Sequence, residues 1–208
     1  MARLKKKLLV LGGSGFIGHH VILEAIKKKW HVVSISFNGK NKQRCVKGAK
    51  YIKVNILNFN KLKKINFSFD YIVNCSGYGV HSNYESGGKE IAKTHFFGLV
   101  NILKLVDRKK IKKFVHIGSS EEYGNLPSPQ NEKNIESPLT PYAKSKTSCT
   151  HLLQLMNVLE KFPSIILRIF LAYGPNQDNN RLIPQVINGF LKDKIVKLSS
   201  GQQKKDFC

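Results

Sequence analysis

The chain has 208 residues, 41% hydrophobic and 23% charged, which fills a sizeable core in one or two domains and excludes a disordered tail. Its 35 Lys+Arg against 13 Asp+Glu give a formal net charge of +22, a field that draws anions, whether nucleotides or a polyanion. No apolar run approaches the ~18 residues of a membrane-spanning helix, so such a helix is not expected.

Residues 7–11 form a short apolar run that ends at glycine, the pattern of a buried strand. The stretch 16–29 has apolar residues at Ile17, Val21, Ala25 and Ile26, the spacing of a helix. Strands are expected over 31–37, 51–54 and 70–75, then one long helix over 88–109 and a fifth strand over 114–118. Residues 126–141 are rich in Pro, Ser and Asn and read as a surface loop. A helix over 141–161 starts on Pro141, where a missing N–H costs least. A sixth strand over 164–170, a helix over 181–191 and a further strand near 195–198 complete the pattern. Alternating strands and helices predict βαβ units and a parallel sheet.

Between the first strand and the first helix stands Gly12-Gly13-Ser14-Gly15-Phe16-Ile17-Gly18. Gly12 permits a tight turn, Gly15 lets backbone approach a pyrophosphate, and Gly18 lets the helix pack closely on the strand. Free N–H groups and the dipole at the helix start, around Ser14, Phe16 and Ile17, suit phosphate oxygens. The loop therefore predicts dinucleotide binding. An acid at the end of the second strand would bind the adenosine ribose hydroxyls. Phe37 stands there, followed by Asn38, Lys40, Lys42 and Arg44, so NADP is expected over NAD. Asn55 and Ile56, just after the third strand, are expected near the adenine.

Tyr142 and Lys146 form YxxxK, and positions four apart share a helix face. An ammonium beside a phenol favours the phenolate and makes it a usable acid/base at neutral pH. Upstream, Ser119 follows the fifth strand, and strand carboxyl ends of a parallel sheet face the ligand crevice. Its hydroxyl is placed to bond a reacting oxygen.

The pieces GGSGFIG, DYIVNCSG, GSSEEYG, SPLTPYAKSK, LRIFLAYGP, RLIPQVI and GQQKKDF occur in one order over nearly the whole chain. In these the chain resembles the extended short-chain dehydrogenase/reductase family, the NAD(P)-dependent nucleotide-sugar epimerases and dehydratases. The resemblance implies an α/β fold, a Rossmann-like doubly wound parallel sheet over 1–175, with the beginning of a smaller substrate-binding region over 176–208. It implies Tyr142 as the acid/base, Lys146 as its partner and holder of the nicotinamide ribose, and Ser119 as the catalytic hydroxyl. It puts Cys75 and Ser76 of DYIVNCSG on the cofactor, Ser119 and Ser120 on the substrate, and Arg181 and Lys205 at its diphosphate. Hydride transfer at the sugar C4 is the implied chemistry.

Glu121 occupies the place of the acid that abstracts the C5 proton in the family's dehydratases, and Ser120 stands where some carry Asp. The same GSSEEYG also resembles 4-keto-6-deoxy-sugar reductases, so epimerase, dehydratase and reductase stay open. His95 stands where the family usually has Asn, and Leu171 where many members have an Asn touching the sugar nucleotide. Family members continue past the KDF segment, so a C-terminally truncated substrate lobe is expected, with cofactor binding but no turnover as the other outcome.

Only five of the cations are Arg (Arg3, Arg44, Arg108, Arg168, Arg181), the usual tool for phosphate and base recognition. The lysines sit in short runs such as Lys27-Lys28-Lys29, at expected helix ends where cations suit the dipole, so nucleic acid is not the expected partner. Cys45, Cys75, Cys149 and Cys208 include no CxxC pair, so neither disulfides nor a metal site is expected. The apolar run 8–11 meets a glycine turn too soon for a signal peptide. A cytoplasmic protein without membrane contact is expected, and the helices flanking Tyr142 are expected to form a homodimer.

Overall fold

The computed structural model describes residues 5–78, 82–197, 200, 202 and 206–208. The chain divides into two compact units, Met1–Arg168 and Ile169–Cys208. The first holds a six-stranded sheet in the order β3-β2-β1-β4-β5-β6. Its strands are β1 (Lys7–Leu11), β2 (His31–Ser36), β3 (Lys50–Lys53), β4 (Tyr71–Asn74), β5 (Lys113–Ser119) and β6 (Ser164–Ile169). The pairs β1–β2, β1–β4, β2–β3 and β4–β5 are parallel. Strand order reverses between β1 and β4, which stay paired to Leu11 and Asn74, and the carboxyl ends at such a switch point are where α/β sheets place a ligand crevice.

Side chains alternate across β1. Leu8 and Val10 pack with Ile22 and Ala25 of α1 (Phe16–Lys27). Leu9 and Leu11 join Leu99, Ile102, Cys149 and Leu153 on the other face. Both faces are thus covered, which suits near-continuous apolar strands such as KLLVL. A short α2 (Phe59–Leu62) follows β3, with Asn58 capping it by accepting the Lys61 N–H at 3.0 Å.

The expected helix over 88–109 is a broken one. It comprises α3 (Lys89–Ala92), a π turn at Lys93–Phe97 and α4 (Gly98–Leu103). It ends at Leu103, and past that end Asp107 makes a separate turn, accepting the Lys109 N–H on its own side chain at 3.1 Å. The long α5 (Pro141–Glu160) begins as expected on Pro141, with the Thr140 hydroxyl accepting the Ala143 N–H at 3.0 Å. Among the described residues no helix is long and apolar enough to cross a membrane.

The second unit carries α6 (Leu182–Leu191) and an isolated parallel bridge between Leu171 and Phe207. Residues 195–197 form no strand, and Leu198 lies outside the described residues. Ile195 is 96% exposed.

Candidate active site

The glycine turn leaves β1 at the centre of the sheet. The Gly12 N–H bonds the Ile35 carbonyl at 2.8 Å, and the Gly15 N–H returns to the Gly12 carbonyl at 2.9 Å. Gly12 has φ +77°, and a Cβ there would lie 2.6 Å from the Cys75 carbonyl oxygen, so this turn needs glycine. At Gly18 a Cβ would lie 2.5 Å from the Gly12 carbonyl oxygen, which explains how α1 seats so close to β1. Gly15 is the N-cap of α1, with no side-chain cap and no acid in the first turn. Ser14, Gly15, Phe16 and Ile17 keep part of their surface open. The Ser14 N–H is taken by the Ser36 hydroxyl oxygen at 3.2 Å and the Gly15 N–H by Gly12, so the first-turn amides of α1, at Phe16 and Ile17, are the ones that suit the diphosphate of a dinucleotide.

At the end of β2, Phe37 is 67% exposed and Asn38, Lys40 and Lys42 are exposed beside it. Arg44 is different: it is buried, and its carbonyl oxygen lies 3.0 Å from His19 Nδ1 and accepts the Tyr51 hydroxyl at 3.4 Å. Asn55 is half-buried, and its side chain accepts the Leu57 N–H at 2.9 Å. It borders a surface groove of about 650 Å³ that runs to Glu90 and Lys93. Ile56 is buried beneath α4, its carbonyl taking the Asn101 amide at 3.0 Å.

Beside the glycine turn, the Cys75 N–H donates to the Leu11 carbonyl at 2.9 Å. The Ser76 hydroxyl donates to the Asn74 side chain, whose amide lies 3.1 Å from His116 Nδ1. Cys75 keeps some exposure as a residue, yet burial pushes its thiol up to about 12. A neutral thiol there is packing, not a nucleophile.

One strand further, β5 ends at Ser119. Its hydroxyl oxygen accepts the Glu121 N–H at 3.2 Å and caps a 3-10 turn at Ser120–Tyr123. Its O–H is left to donate. Ser120 and Glu121 are half-buried on this turn. Alongside, α5 brings Tyr142 and Lys146. Lys146 is 4% exposed, and its Nζ donates to the Ile117 carbonyl of β5 at 2.8 Å. The same Nζ stands 5.9 Å from the centre of the half-buried Tyr142 ring. Burial lowers the Lys146 pKa below its ordinary value, and the Cys149, Glu122 and Cys75 groups oppose that shift.

The π turn directs His95 into this cluster. Its ring meets the Tyr142 ring edge to face, centroids 5.4 Å apart, and its Nε2 lies 3.4 Å from the Tyr78 carbonyl oxygen. Gly77 makes the room, since a Cβ there would sit 2.0 Å from His95 Cε1. Burial, with the Lys146 charge adding to it, holds His95 down at about 3, so the imidazole is neutral at physiological pH.

Sequence reasoning did not single out the group behind Ser119. Glu122 is fully buried, and it joins Ser119, Thr150 and Arg168. The spacing Ser119-x-x-Glu122 is a capping-box signature and was the available signal. Arg181 lies in the second unit, exposed, as the N-cap of α6. Lys205 lies outside the described residues.

The NAD dependent epimerase/dehydratase family matches residues 8–208. The chain is 29% identical over 212 residues to the dTDP-D-glucose 4,6-dehydratase of Dictyostelium discoideum, covering 91% of this chain and 49% of that protein. It is also 29% identical over 215 residues to a Bacillus subtilis (strain 168) protein called an uncharacterized UDP-glucose epimerase, covering 97% of this chain and 68% of that protein. Among solved structures, the UDP-glucuronic acid 4-epimerase of Bacillus cereus, in complex with UDP-glucuronic acid and NAD, aligns with a TM-score of 0.82 and 27% identity. That alignment covers 97% of this chain and 68% of the other. The chain thus spans between half and about two thirds of the length of these relatives.

Proposed function

The chain belongs to the NAD dependent epimerase/dehydratase family, and on that premise we propose that it is an NAD(P)-dependent enzyme acting on C4 of a nucleotide-bound hexose. One arrangement supports the reading most. Lys146 bonds the carbonyl of Ile117 two residues before Ser119, so the YxxxK face of α5 and the serine at the end of β5 stand together. A nicotinamide bound along the glycine turn would supply hydride transfer with the hexose C4. Tyr142 moves the hydroxyl proton, Lys146 supports it by charge, and Ser119 donates its O–H to the reacting oxygen. Gly12, Ser14, Gly15, Phe16, Ile17 and Gly18 hold the diphosphate, with Asn38, Asn55, Ile56, Cys75 and Ser76 around the rest of the cofactor.

NADP is favoured over NAD. No acid stands at the end of β2, where Phe37 and Asn38 are exposed and Lys40 and Lys42 follow on the surface. Residues 1–175 carry the cofactor and the tyrosine, and 176–208 open a substrate region with Arg181 and Lys205 as candidates for the diphosphate. Such a reading suits the cytoplasm, where nicotinamides and nucleotide sugars are found. It also includes a homodimer through α5, which exposes Leu155, Val158 and Leu159 at 54%, 66% and 69%.

Glu121 divides the possible reactions. As a base at C5 it makes the chain a dehydratase. The Glu121-Glu122-Tyr123-Gly124 run favours a second reading, a reductase of 4-keto-6-deoxy nucleotide sugars. The test is incubation with a panel of nucleotide sugars and each nicotinamide, with products read by mass. Glu121→Gln should stop a dehydratase and spare a reductase. A panel without any conversion would overturn both.

A further inference from the structure

Glu122 has 0% exposure, and its carboxyl is held from three elements. Oε1 accepts the Ser119 N–H of β5 at 2.8 Å. Oε2 accepts the Thr150 hydroxyl of α5 at 2.7 Å and the Arg168 Nε–H of β6 at 3.1 Å. Gly118 leaves the space, because a Cβ there would lie 2.5 Å from Glu122 Oε1. Arg168 also bonds Glu136, whose other oxygen lies 3.1 Å from His151 Nε2, back on α5. The ties form a closed circuit from α5 through both carboxyls and Arg168 to α5 again.

We propose that Glu122 is a positioning residue, whose carboxyl fixes the end of β5 against α5 and so keeps Ser119 in register with Tyr142 and Lys146. The inference rests on the reading given under Proposed function. Thr150 is four residues beyond Lys146 and eight beyond Tyr142, on the same face of α5. Ser119 is held at both ends, its N–H by Glu122 and its hydroxyl oxygen by the Glu121 N–H. Neither bond uses its O–H, which can still donate. Lys146 also ties α5 to β5, through Ile117, but it does so with the ammonium that the chemistry uses. The link through Glu122 and Thr150 holds the same two elements without a reacting group.

Glu122→Gln leaves Arg168 with a weakened partner and can fail to fold, so the test uses Thr150. Thr150→Val removes the hydroxyl and keeps the shape, and Thr150→Ser restores the hydroxyl. With UDP-glucose or dTDP-glucose, whichever the panel shows to be converted, Thr150→Val should lower kcat about tenfold, the loss of one hydrogen bond to a charged group. KM and nicotinamide affinity should stay within about twofold, because the binding groups are untouched. Thr150→Ser should recover the rate. Without any substrate, amide hydrogen exchange at residues 119–123 should quicken in Thr150→Val and not in Thr150→Ser, while β1 and β4 keep their protection. That second measurement still decides the inference if no sugar is converted, in which case the functional reading alone fails. Wild-type exchange and rate in Thr150→Val, or equal losses in Val and Ser, would overturn the positioning role.

Discussion

Two turns, at the ends of the strands on either side of β4, do different work with different materials. The turn after β1 is held mostly by backbone: Gly12 takes φ +77°, Gly15 returns its N–H to Gly12, the Ser36 hydroxyl oxygen accepts the Ser14 N–H at 3.2 Å, and no side chain caps α1. The turn after β5 is held by side chains: Ser119 and Glu122 close a capping box, and Thr150 and Arg168 hold Glu122 from outside. On the proposed reading a phosphate needs N–H groups that nothing else has taken, and the uncapped first turn of α1 is where such groups stand. A hydroxyl that donates in one direction needs its other bonds filled, so the second turn is saturated. Openness at one site and saturation at the other predict opposite responses to substitution.

The largest expected effect on binding is at the open turn. Gly12→Ala adds a Cβ 2.6 Å from the Cys75 carbonyl at a left-handed residue, so the turn must move. Affinity for NADPH and NADH, followed by fluorescence titration, should fall about 100-fold, the equivalent of ~2.7 kcal/mol, with the Ser119 turn unaffected. At the saturated turn the loss is in stability. Glu122→Gln breaks a buried pair and should lower unfolding free energy by ~3 kcal/mol in urea titrations, with cofactor affinity retained.

The third effect depends on pH. His95 is held at about 3 in the folded state against 6.5 when unfolded, so the unfolded chain binds the extra proton between those values. Stability from this group is complete above pH 6.5 and is lost as pH falls toward 3. His116, also lowered by burial, acts in the same direction. His95→Asn should flatten the dependence of the urea midpoint on pH over that window by up to one proton, ~1.4 kcal/mol per pH unit. The smallest effect is at the start of α5. Thr140→Ala removes the cap on the Ala143 N–H and should cost ~1 kcal/mol in thermal unfolding without changing cofactor affinity.

The same contrast explains what could be read from residues alone. The glycine turn is local, because its spacing encodes a backbone path, and the alternation of KLLVL, HVVSIS and the helices between them encodes the sheet. YxxxK is local too, since four residues define a helix face. The Glu122 circuit is not. Thr150 and Arg168 lie 28 and 46 residues away, and only the packing of α5 and β6 against β5 brings them to one carboxyl. The π turn at Lys93–Phe97 carries no proline to announce it. What accompanies it is tertiary: His95 lodges against Gly77 and Tyr142.

The central claim is that the Tyr142 phenol carries the proton at the crevice. The most direct measurement is turnover of a converted nucleotide sugar by Tyr142→Phe, with nicotinamide affinity measured on the same sample. The account predicts a rate lower by at least about 100-fold, the scale of a positioned acid/base, with affinity nearly unchanged. A variant that turns over at the wild-type rate would contradict it.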